Sequence, residues 1–262
     1  MKIGILSKRN KMFAAKIKQF LESEGHVVEL YTLENLNINQ SLLNNDFYIM
    51  KSKHMFFLYA GYFLDTHNIP VIPNVNLSYK HKNRIESHYL IKQAGLLGPS
   101  TYMGMVDVLK TKLKKTDYPF IQKPLMGSGS RGVRFITSSD DLKSTDGGPI
   151  YLEKFIQGIH YLSYFIDNKV CVYEKLPLVN EHARVKAIEM TQDLIDITLR
   201  WKNFYSMLFG HLDIVRDENT NKLHVVDPGS FPEFSNWNCS VEPEKEVCRL
   251  ILNEYSKQLR IK

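Results

Sequence analysis

Short apolar runs alternate with amphipathic stretches over the first 75 residues of the chain. The apolar residues of 11–24 recur at the spacing of one helix face, and residues 56–66 predict a second helix. Four short apolar runs predict buried strands at residues 3–6, 27–31, 47–50 and 71–72. Because strands and helices alternate, the pattern predicts a parallel sheet, and residues 7–10 lie where open α/β sheets bind ligands.

The pattern changes after residue 78, and strands become more frequent from residue 118 onward. Two helical stretches are predicted over residues 78–115, joined by residues 95–100, and a small β-rich lobe follows over 118–155. Strands are predicted over residues 160–234, with one helix at 192–209 and a last helix at 242–259. The predicted fold class is therefore α/β, with α+β lobes after a parallel α/β unit.

A glycine-rich loop lies between two apolar runs at residues 120–136. Gly127, Gly129 and Gly132 have the G-x-G-x-x-G spacing, but a strand follows them, whereas a dinucleotide fingerprint requires a helix. The loop is therefore predicted to close a β-hairpin. Its backbone N–H groups could approach phosphate oxygens, with positive charge from Lys123 and Arg131. The alternative is an ordinary flexible hairpin tip.

A second hairpin, at residues 212–232, carries an aspartate on each arm. Asp213 and Asp227 lie on successive predicted strands, so their carboxylates can converge. Hard oxygen ligands of this kind suit Mg²⁺ that bridges phosphates. The alternative is a pair of aspartates that only flank a turn.

Composition and charge limit the size of the core, the kind of ligand and the cellular location that the sequence predicts. The 262 residues are 44% hydrophobic, which is enough for a sizeable core, and the net charge of +6 favours an anionic ligand or partner. An ordinary basic surface is the alternative, and no nucleic-acid recognition motif is present. Three cysteines without metal spacing, no signal-peptide pattern and no membrane-length apolar run predict a reduced, cytoplasmic protein.

The order of the parts between residues 84 and 234 resembles the ATP-grasp superfamily. A glycine loop is followed by a strand carrying Glu153, a hairpin that turns at residues 167–168, and the aspartate hairpin. The loop and the N-terminal unit resemble RimK-type carboxylate–amine ligases, whereas residues 172–180, 208–210 and 231–232 resemble inositol polyphosphate kinases. The resemblance implies an N-terminal pre-ATP-grasp domain (1–77), a small lobe (78–155) and a large lobe with the metal site (156–262).

The resemblance also implies roles for particular residues around ATP and Mg²⁺ or Mn²⁺. Asp213 and Asp227 would hold the metal, and Lys175 and Arg184 would act near the γ-phosphate or the acceptor. Nucleotide contacts are implied for Arg84, Lys123, Gly127, Ser128, Gly129, Ser130, Arg131, Gly132, Glu153, Lys154 and Phe155. In this set Glu153, Lys154 and Phe155 form the hinge strand beside the adenine.

Three positions depart from the family pattern. Gly229 stands where an asparagine normally supplies a third metal ligand, so a water or Ser230 replaces it, metal binding is weaker, or catalysis is lost. His160 stands where RimK-type enzymes carry an acidic residue, and Arg84 where a lysine is frequent. Arginine keeps the charge but not the compact geometry of an ammonium group.

The favoured interpretation is an ADP-forming carboxylate–amine ligase that acts through an acyl phosphate. An ATP-grasp kinase that phosphorylates an inositol phosphate or a similar polyol is the alternative, and Gly229 motivates a third one, an ATP-binding module without catalysis. The expected partner is a small-molecule or peptide acceptor with negative charge. Neither a membrane nor nucleic acid is expected to bind. The sequence does not fix the oligomeric state, and the resemblance allows a homodimer because dimers are common among similar proteins.

Overall fold

A computed structural model of the chain describes residues 1–8, 12–127, 131–175 and 185–261. Four of the predicted site residues, Ser128, Gly129, Ser130 and Arg184, lie outside these ranges, as do residues 9 and 10 of the loop after the first strand. The description below concerns the other residues.

The N-terminal unit is a four-stranded parallel sheet in the order β2-β1-β3-β4, as the alternating pattern predicts. Its elements are β1 (Lys2–Leu6), α1 (Met12–Ser23), β2 (Val27–Tyr31), β3 (Phe47–Met50), α2 (Met55–Thr66) and β4 (Val71–Ile72). Strands β1 and β3 are almost wholly buried, as expected for central strands of a sheet covered on both faces. Helix α1 packs with Ile3 and Ile5, whereas α2 packs with Leu6 and Tyr48. The two helices therefore cover opposite faces of the sheet.

The second sheet is antiparallel in the order β5-β8-β6-β7. This region contains α3 (Val75–Lys80), α4 (Arg84–Gln93), β5 (Thr101–Gly104), α5 (Val106–Lys112), β6 (Phe120–Lys123), β7 (Arg134–Ile136) and β8 (Ile150–Lys154). The predicted hairpin of β6 and β7 is confirmed, because Phe120 pairs with Ile136 across it. The prediction of helix over residues 78–115 is wrong at Thr101–Gly104, which forms a strand by pairing with β8.

The third sheet has the order β11-β10-β9-β12-β13. Its region contains β9 (Gly158–Ile166), β10 (Lys169–Lys175), β11 (Lys186–Ala187), α6 (Gln192–Phe204), β12 (Phe209–Asp217), β13 (Leu223–Gly229) and α7 (Pro243–Ile261). Both predicted hairpins, β9–β10 and β12–β13, are confirmed. Helix α6 is shorter than predicted. Ser206 adopts a left-handed φ of 48°, and Phe209 then pairs with Ile166 as the first residue of β12.

One hydrophobic core joins the N-terminal sheet to the third sheet. Helix α7 lies between them, and the ring of Tyr255 stacks on Phe47 with 4.5 Å between their centroids. Phe209 of β12 belongs to the same buried cluster, whereas the second sheet packs around its own cluster, which includes Phe120 and Leu152. The boundaries predicted at residues 77 and 155 remain a prediction.

The cysteines differ from the expectation of three reduced thiols. Cys171 on β10 and Cys239, which follows β13, form a disulfide with 6.1 Å between their Cα atoms, whereas Cys248 is free and buried. The pairing joins residues 68 positions apart and depends on the tertiary structure, so the cysteine spacing does not reveal it. None of the described helices is long and apolar enough to cross a membrane.

Candidate functional site

A cavity of about 360 Å³ lies between the second and third sheets. Its walls bring together charged residues that are up to 143 positions apart in the chain. They are Arg84, Lys123, Glu153, Lys154, Lys175, Asp213 and Asp227. Each of them was named from the sequence as a site residue.

Lys123, at the end of β6, connects the two sheets across the cavity. Its ammonium lies 2.5 Å from a carboxylate oxygen of Glu153 on the neighbouring strand β8. The same Nζ donates to the backbone carbonyl of Val226 on β13, at 2.9 Å. Both members of the ion pair are nearly buried, with 10% and 8% of their side chains exposed. Glu153 therefore orients the lysine toward the cavity.

Arg84, at the start of α4, forms an ion pair with Asp227 on β13. Asn83 caps the helix by accepting from two backbone N–H groups, which places Arg84 in the first turn. The guanidinium Nη1 lies 2.6 Å from Asp227 Oδ1. Burial by itself would raise the pKa of Asp227, but Arg84, Lys123 and Lys53 together hold that pKa well below its usual range. Asp227 is therefore an ionised carboxylate at neutral pH.

The two aspartates of the hairpin lie directly opposite each other, because Asp213 on β12 pairs in register with Asp227 on β13. One oxygen of Asp213 lies 2.8 Å from the ammonium of Lys175 on β10. Its other oxygen, Oδ1, is buried and has no hydrogen-bond partner among the described residues. Both aspartates of the hairpin therefore line the same cavity.

His211 explains why position 229 is a glycine. The two residues are cross-strand partners, and a Cβ atom added at Gly229 would lie 1.9 Å from Cε1 of the imidazole. The ring thus occupies the room that an asparagine side chain would need. Ser230, the proposed substitute ligand, is buried, and the described cavity wall does not include it. The sequence did not single out His211, because only the pairing of β12 with β13 brings it over residue 229.

The donor set fits a metal ion that is shared with phosphate groups. Asp213 and Asp227 supply two carboxylates, and no group of three or more His, Cys, Asp or Glu side chains in the described part of the chain is arranged around a common point. Mg²⁺ in proteins is frequently held by one or two carboxylates, with substrate phosphates and water completing its octahedron. The unpartnered Oδ1 of Asp213 agrees with such a ligand.

The predicted hinge strand has a mixed arrangement. The ammonium of Lys154 contacts the backbone carbonyls of Asp117 and Tyr118, so that side chain is engaged within the protein. The backbone N–H of Phe155 donates to the carbonyl of Pro119 at 3.1 Å, and its ring packs edge-on against Phe135. Both residues line the cavity, although the ammonium of Lys154 and the backbone N–H of Phe155 already donate to carbonyls of the protein.

The described part of the glycine loop lies beside α4. The backbone N–H of Arg84 donates to Leu125 at 2.9 Å, immediately before the loop. Gly132 has a φ of 74°, a left-handed value that favours glycine, and Arg131 is exposed to solvent. A Cβ at Gly127 would lie 3.0 Å from the ring of Pro124, so there is little room for a side chain there.

His160 presents a neutral ring to the cavity, at the position where the resemblance implies an acid. It lies on β9, opposite Lys175 of β10. Burial, with a further contribution from the charge of Lys175, lowers the pKa of His160 to about 4. Its Nε2 is buried without a partner in the described structure.

The comparisons with known proteins rest on the fold. The sequence matches no protein-family model and no curated protein. A RimK domain ATP-grasp protein from Sphaerobacter thermophilus is 12% identical, with a TM-score of 0.77 over 95% of this chain and 99% of that one. The D-alanine–D-alanine ligase from Bacillus anthracis is 15% identical, with a TM-score of 0.74 over 98% and 99%. The ATP-grasp ligase PsnB is 13% identical, with a TM-score of 0.69 over 96% and 98%.

These identities show the fold alone, and they do so over nearly the full length of each chain. The parallel N-terminal sheet and the two antiparallel sheets around the charged cavity agree with them. The protein therefore has the ATP-grasp fold, as the order of its sequence motifs predicts.

Proposed function

We propose that the protein is an ATP-dependent, ADP-forming ligase that joins a carboxylate to an amine. The observation that carries the proposal is the convergence of three ion pairs, Arg84–Asp227, Lys123–Glu153 and Lys175–Asp213, on one cavity between two sheets. A cavity with cations for phosphates and carboxylates for a metal suits phosphoryl transfer, which depends on alignment and charge neutralisation.

The structural neighbours support ATP and Mg²⁺ as cofactors, and Mn²⁺ remains a prediction from the sequence. The ligase from Bacillus anthracis is known in complex with ATP, and PsnB is known with Mg and ADP. PsnB has also been solved with a precursor peptide. By analogy of fold, the cavity between the second and third sheets would hold the nucleotide, and a small molecule or peptide would be the acceptor.

The charged residues of the cavity would have different roles, which depend on their positions. Lys123, held by Glu153, and Arg84, held by Asp227, would neutralise phosphate oxygens through charge-assisted hydrogen bonds. Asp213 and Asp227 would hold a Mg²⁺ or Mn²⁺ ion, which would supply positive charge to the phosphates. Lys175 on β10 contacts Asp213, and it would act near the γ-phosphate or the acceptor.

The proposed reaction has two stages. A substrate carboxylate oxygen accepts the γ-phosphoryl group as its bond to ADP breaks. An amine then attacks the resulting acyl phosphate, forms the amide, and releases phosphate and a proton. The backbone of Gly127 and Gly132, with Arg131, would close over the phosphates. The roles of Arg184, Ser128, Gly129 and Ser130, the homodimer and the cytoplasmic location remain predictions from the sequence.

The test is to measure the release of both ADP and phosphate with panels of acids, amines and polyols. A ligase releases both products only when an acid and an amine are present together. Release of ADP without free phosphate, with label transferred to a polyol, would identify the kinase instead. Nucleotide-dependent thermal stabilisation without either activity would identify a binding module. Asp227→Ala should abolish turnover in the first two cases.

A further inference from the structure

A topological switch point lies at the carboxyl ends of β1 and β3 in the N-terminal sheet. These strands are neighbours in the order β2-β1-β3-β4, and the helices that follow them cover opposite faces. The helices after the two strands thus lie on opposite faces, the arrangement that forms a crevice at the carboxyl ends of such strands. Such switch points are where open α/β sheets bind ligands. Lys8 follows β1, and Lys53 and His54 follow β3.

The turn between α3 and α4 adds a further cation to this crevice. Lys53 Nζ donates to the backbone carbonyl of His81 at 3.4 Å, which places it beside Lys82. Burial lowers the pKa of Lys82, and the nearby charges of Arg131, Arg84 and Lys8 lower it further. We call the group Lys8, Lys53, His54 and Lys82 the switch-point crevice.

Within the described residues, the lysines of the switch-point crevice have no carboxylate in contact with them. Lys8, Lys53 and Lys82 form no ion pair with any described residue, although Lys53 and Lys82 are partly buried. In the nucleotide cavity, by contrast, Arg84, Lys123 and Lys175 each have a carboxylate partner. Burial lowers the pKa of Lys53 to about 8, and the negative charge of Asp227 offsets this effect only in part. Partly buried cations without counter-charges are costly, so a bound anion would relieve this arrangement.

The crevice lies close to one wall of the nucleotide cavity, because Lys53 contacts His81, three residues before Arg84 in that wall. Lys8, Lys53 and Lys82 do not line that cavity, which the second and third sheets enclose. The two sites are nevertheless close, because Lys53 contacts the backbone of His81 and Arg84, three residues further on, is paired with Asp227, the proposed metal ligand. The anion that fits here is therefore a group next to the nucleotide rather than the triphosphate itself.

We propose that the switch-point crevice binds a second anionic group of the acceptor, a carboxylate or a phosphate, through Lys53 and Lys82. The acceptor would then carry at least two anionic groups, one of which reacts while the other is held by the lysines. The assignment of this group to the acceptor rests on the proposed function. The existence of the anion site rests only on the crevice and its unbalanced charges.

The experiment compares Lys53→Gln and Lys82→Gln with Lys80→Gln, an exposed lysine of α3 that supplies the same change of charge. Succinate and 3-phosphoglycerate, which we group as dianions because each carries two anionic groups, and butyrate, which carries one, are titrated calorimetrically into the full-length protein, with and without ADP–Mg²⁺. We expect at least one dianion to bind tenfold or more tightly than butyrate. Either glutamine substitution in the crevice should weaken that binding about tenfold, whereas Lys80→Gln should not. A preference for succinate or for 3-phosphoglycerate would distinguish a carboxylate from a phosphate.

Three results would overturn the proposal: equal binding of butyrate and both dianions, unchanged dianion affinity in both crevice variants, or a loss of ADP–Mg²⁺ affinity that matches the loss of dianion affinity. The last would assign the lysines to the nucleotide. Folding provides an independent readout, because removal of an unpaired cation should leave the melting temperature unchanged or raise it. Absence of ADP binding in the wild type, with dianion binding intact, would contradict only the proposed function.

Discussion

The contact between His211 and Gly229 makes position 229 intolerant of the asparagine that the family pattern expects. We predict that Gly229→Asn destabilises the protein by about 1–3 kcal/mol, because the new side chain collides with a buried ring. Urea unfolding measures this change. In a His211→Ala background the same substitution should cost much less, since the ring is gone. Gly147→Asn is a matched control, because nothing lies within 4 Å of a Cβ there and asparagine tolerates its φ of 74°.

If Gly229→Asn is equally destabilising with and without His211, the steric explanation is wrong. Nucleotide binding adds a second readout for the double variant. Tighter Mg²⁺-dependent ADP binding than in the wild type would mean that the asparagine restores the missing metal ligand of the family pattern. This measurement distinguishes a metal site that tolerates Gly229 from one in which Gly229 has abolished metal binding.

Arg84 and Asp227 are expected to depend on each other. Asp227→Asn would leave the nearly buried Arg84 without its counter-charge, and we predict a loss of about 2 kcal/mol of unfolding free energy. This is below the value for a fully buried pair because 30% of the Asp227 side chain is exposed. A double-mutant cycle with Arg84→Met measures the coupling by urea unfolding. Additive effects would show that the ion pair does not contribute to stability.

At the scale of elements, β10 and the segment after β13 are joined by the disulfide. We predict that the unfolded protein shows one reactive thiol, Cys248, without reductant and three after reduction. Closing a loop of this length stabilises by about 4 kcal/mol in the chain-entropy description. Urea unfolding of the Cys171→Ser/Cys239→Ser variant measures that contribution. Three thiols without reductant would restore the expectation drawn from the sequence.

The elements differ in how far local sequence determines them. Helix α1 and strands β1 and β3 follow from their own apolar pattern, because each covers or forms a buried surface with a regular period. Strand β5 has no such local signal: it is an edge strand that pairs only with β8, and its side chains are half-buried or exposed. The end of α6 is likewise decided by the pairing of Phe209 with Ile166.

At the scale of the whole molecule, buried neutral histidines should make stability depend on pH. Burial lowers the pKa of His81 well below the usual 6.5 and that of His160 to about 4, so the unfolded chain binds protons that the folded chain does not. The contribution of the neutral histidines to the free energy of unfolding is complete above pH 6.5. It is lost as the pH falls toward the pKa that each histidine has in the folded protein. Each histidine should contribute about 1.4 kcal/mol per pH unit in that window.

Urea unfolding between pH 6.5 and 5.5 tests this dependence. His160→Gln should reduce the slope of stability against pH, whereas His67→Gln, an exposed residue after α2, should leave it unchanged. An unaltered slope in the His160 variant would mean that the imidazole takes up a proton equally readily in the folded and the unfolded protein.

The shared core also has a consequence for the whole molecule. Phe47, Phe209 and Tyr255 come from the N-terminal sheet, the third sheet and α7, and they belong to one buried cluster. Residues from all three regions lose apolar contact if any one of them unfolds. The N-terminal sheet and the third sheet therefore act as one packed body, with the cavity at the junction to the second sheet.

The sequence by itself determined the order of the motifs, the three hairpins and the charged residues of the cavity, because periodicity, glycines and strand-end charges are local properties. Tertiary structure decided everything that depends on which strands become neighbours. It set the partner of each cation, placed His211 over Gly229 and joined Cys171 to Cys239. It also gathered Lys8, Lys53 and Lys82 at a crevice. The physical reason is that these contacts span 18 to 143 residues, a separation over which a local pattern carries no information about distance.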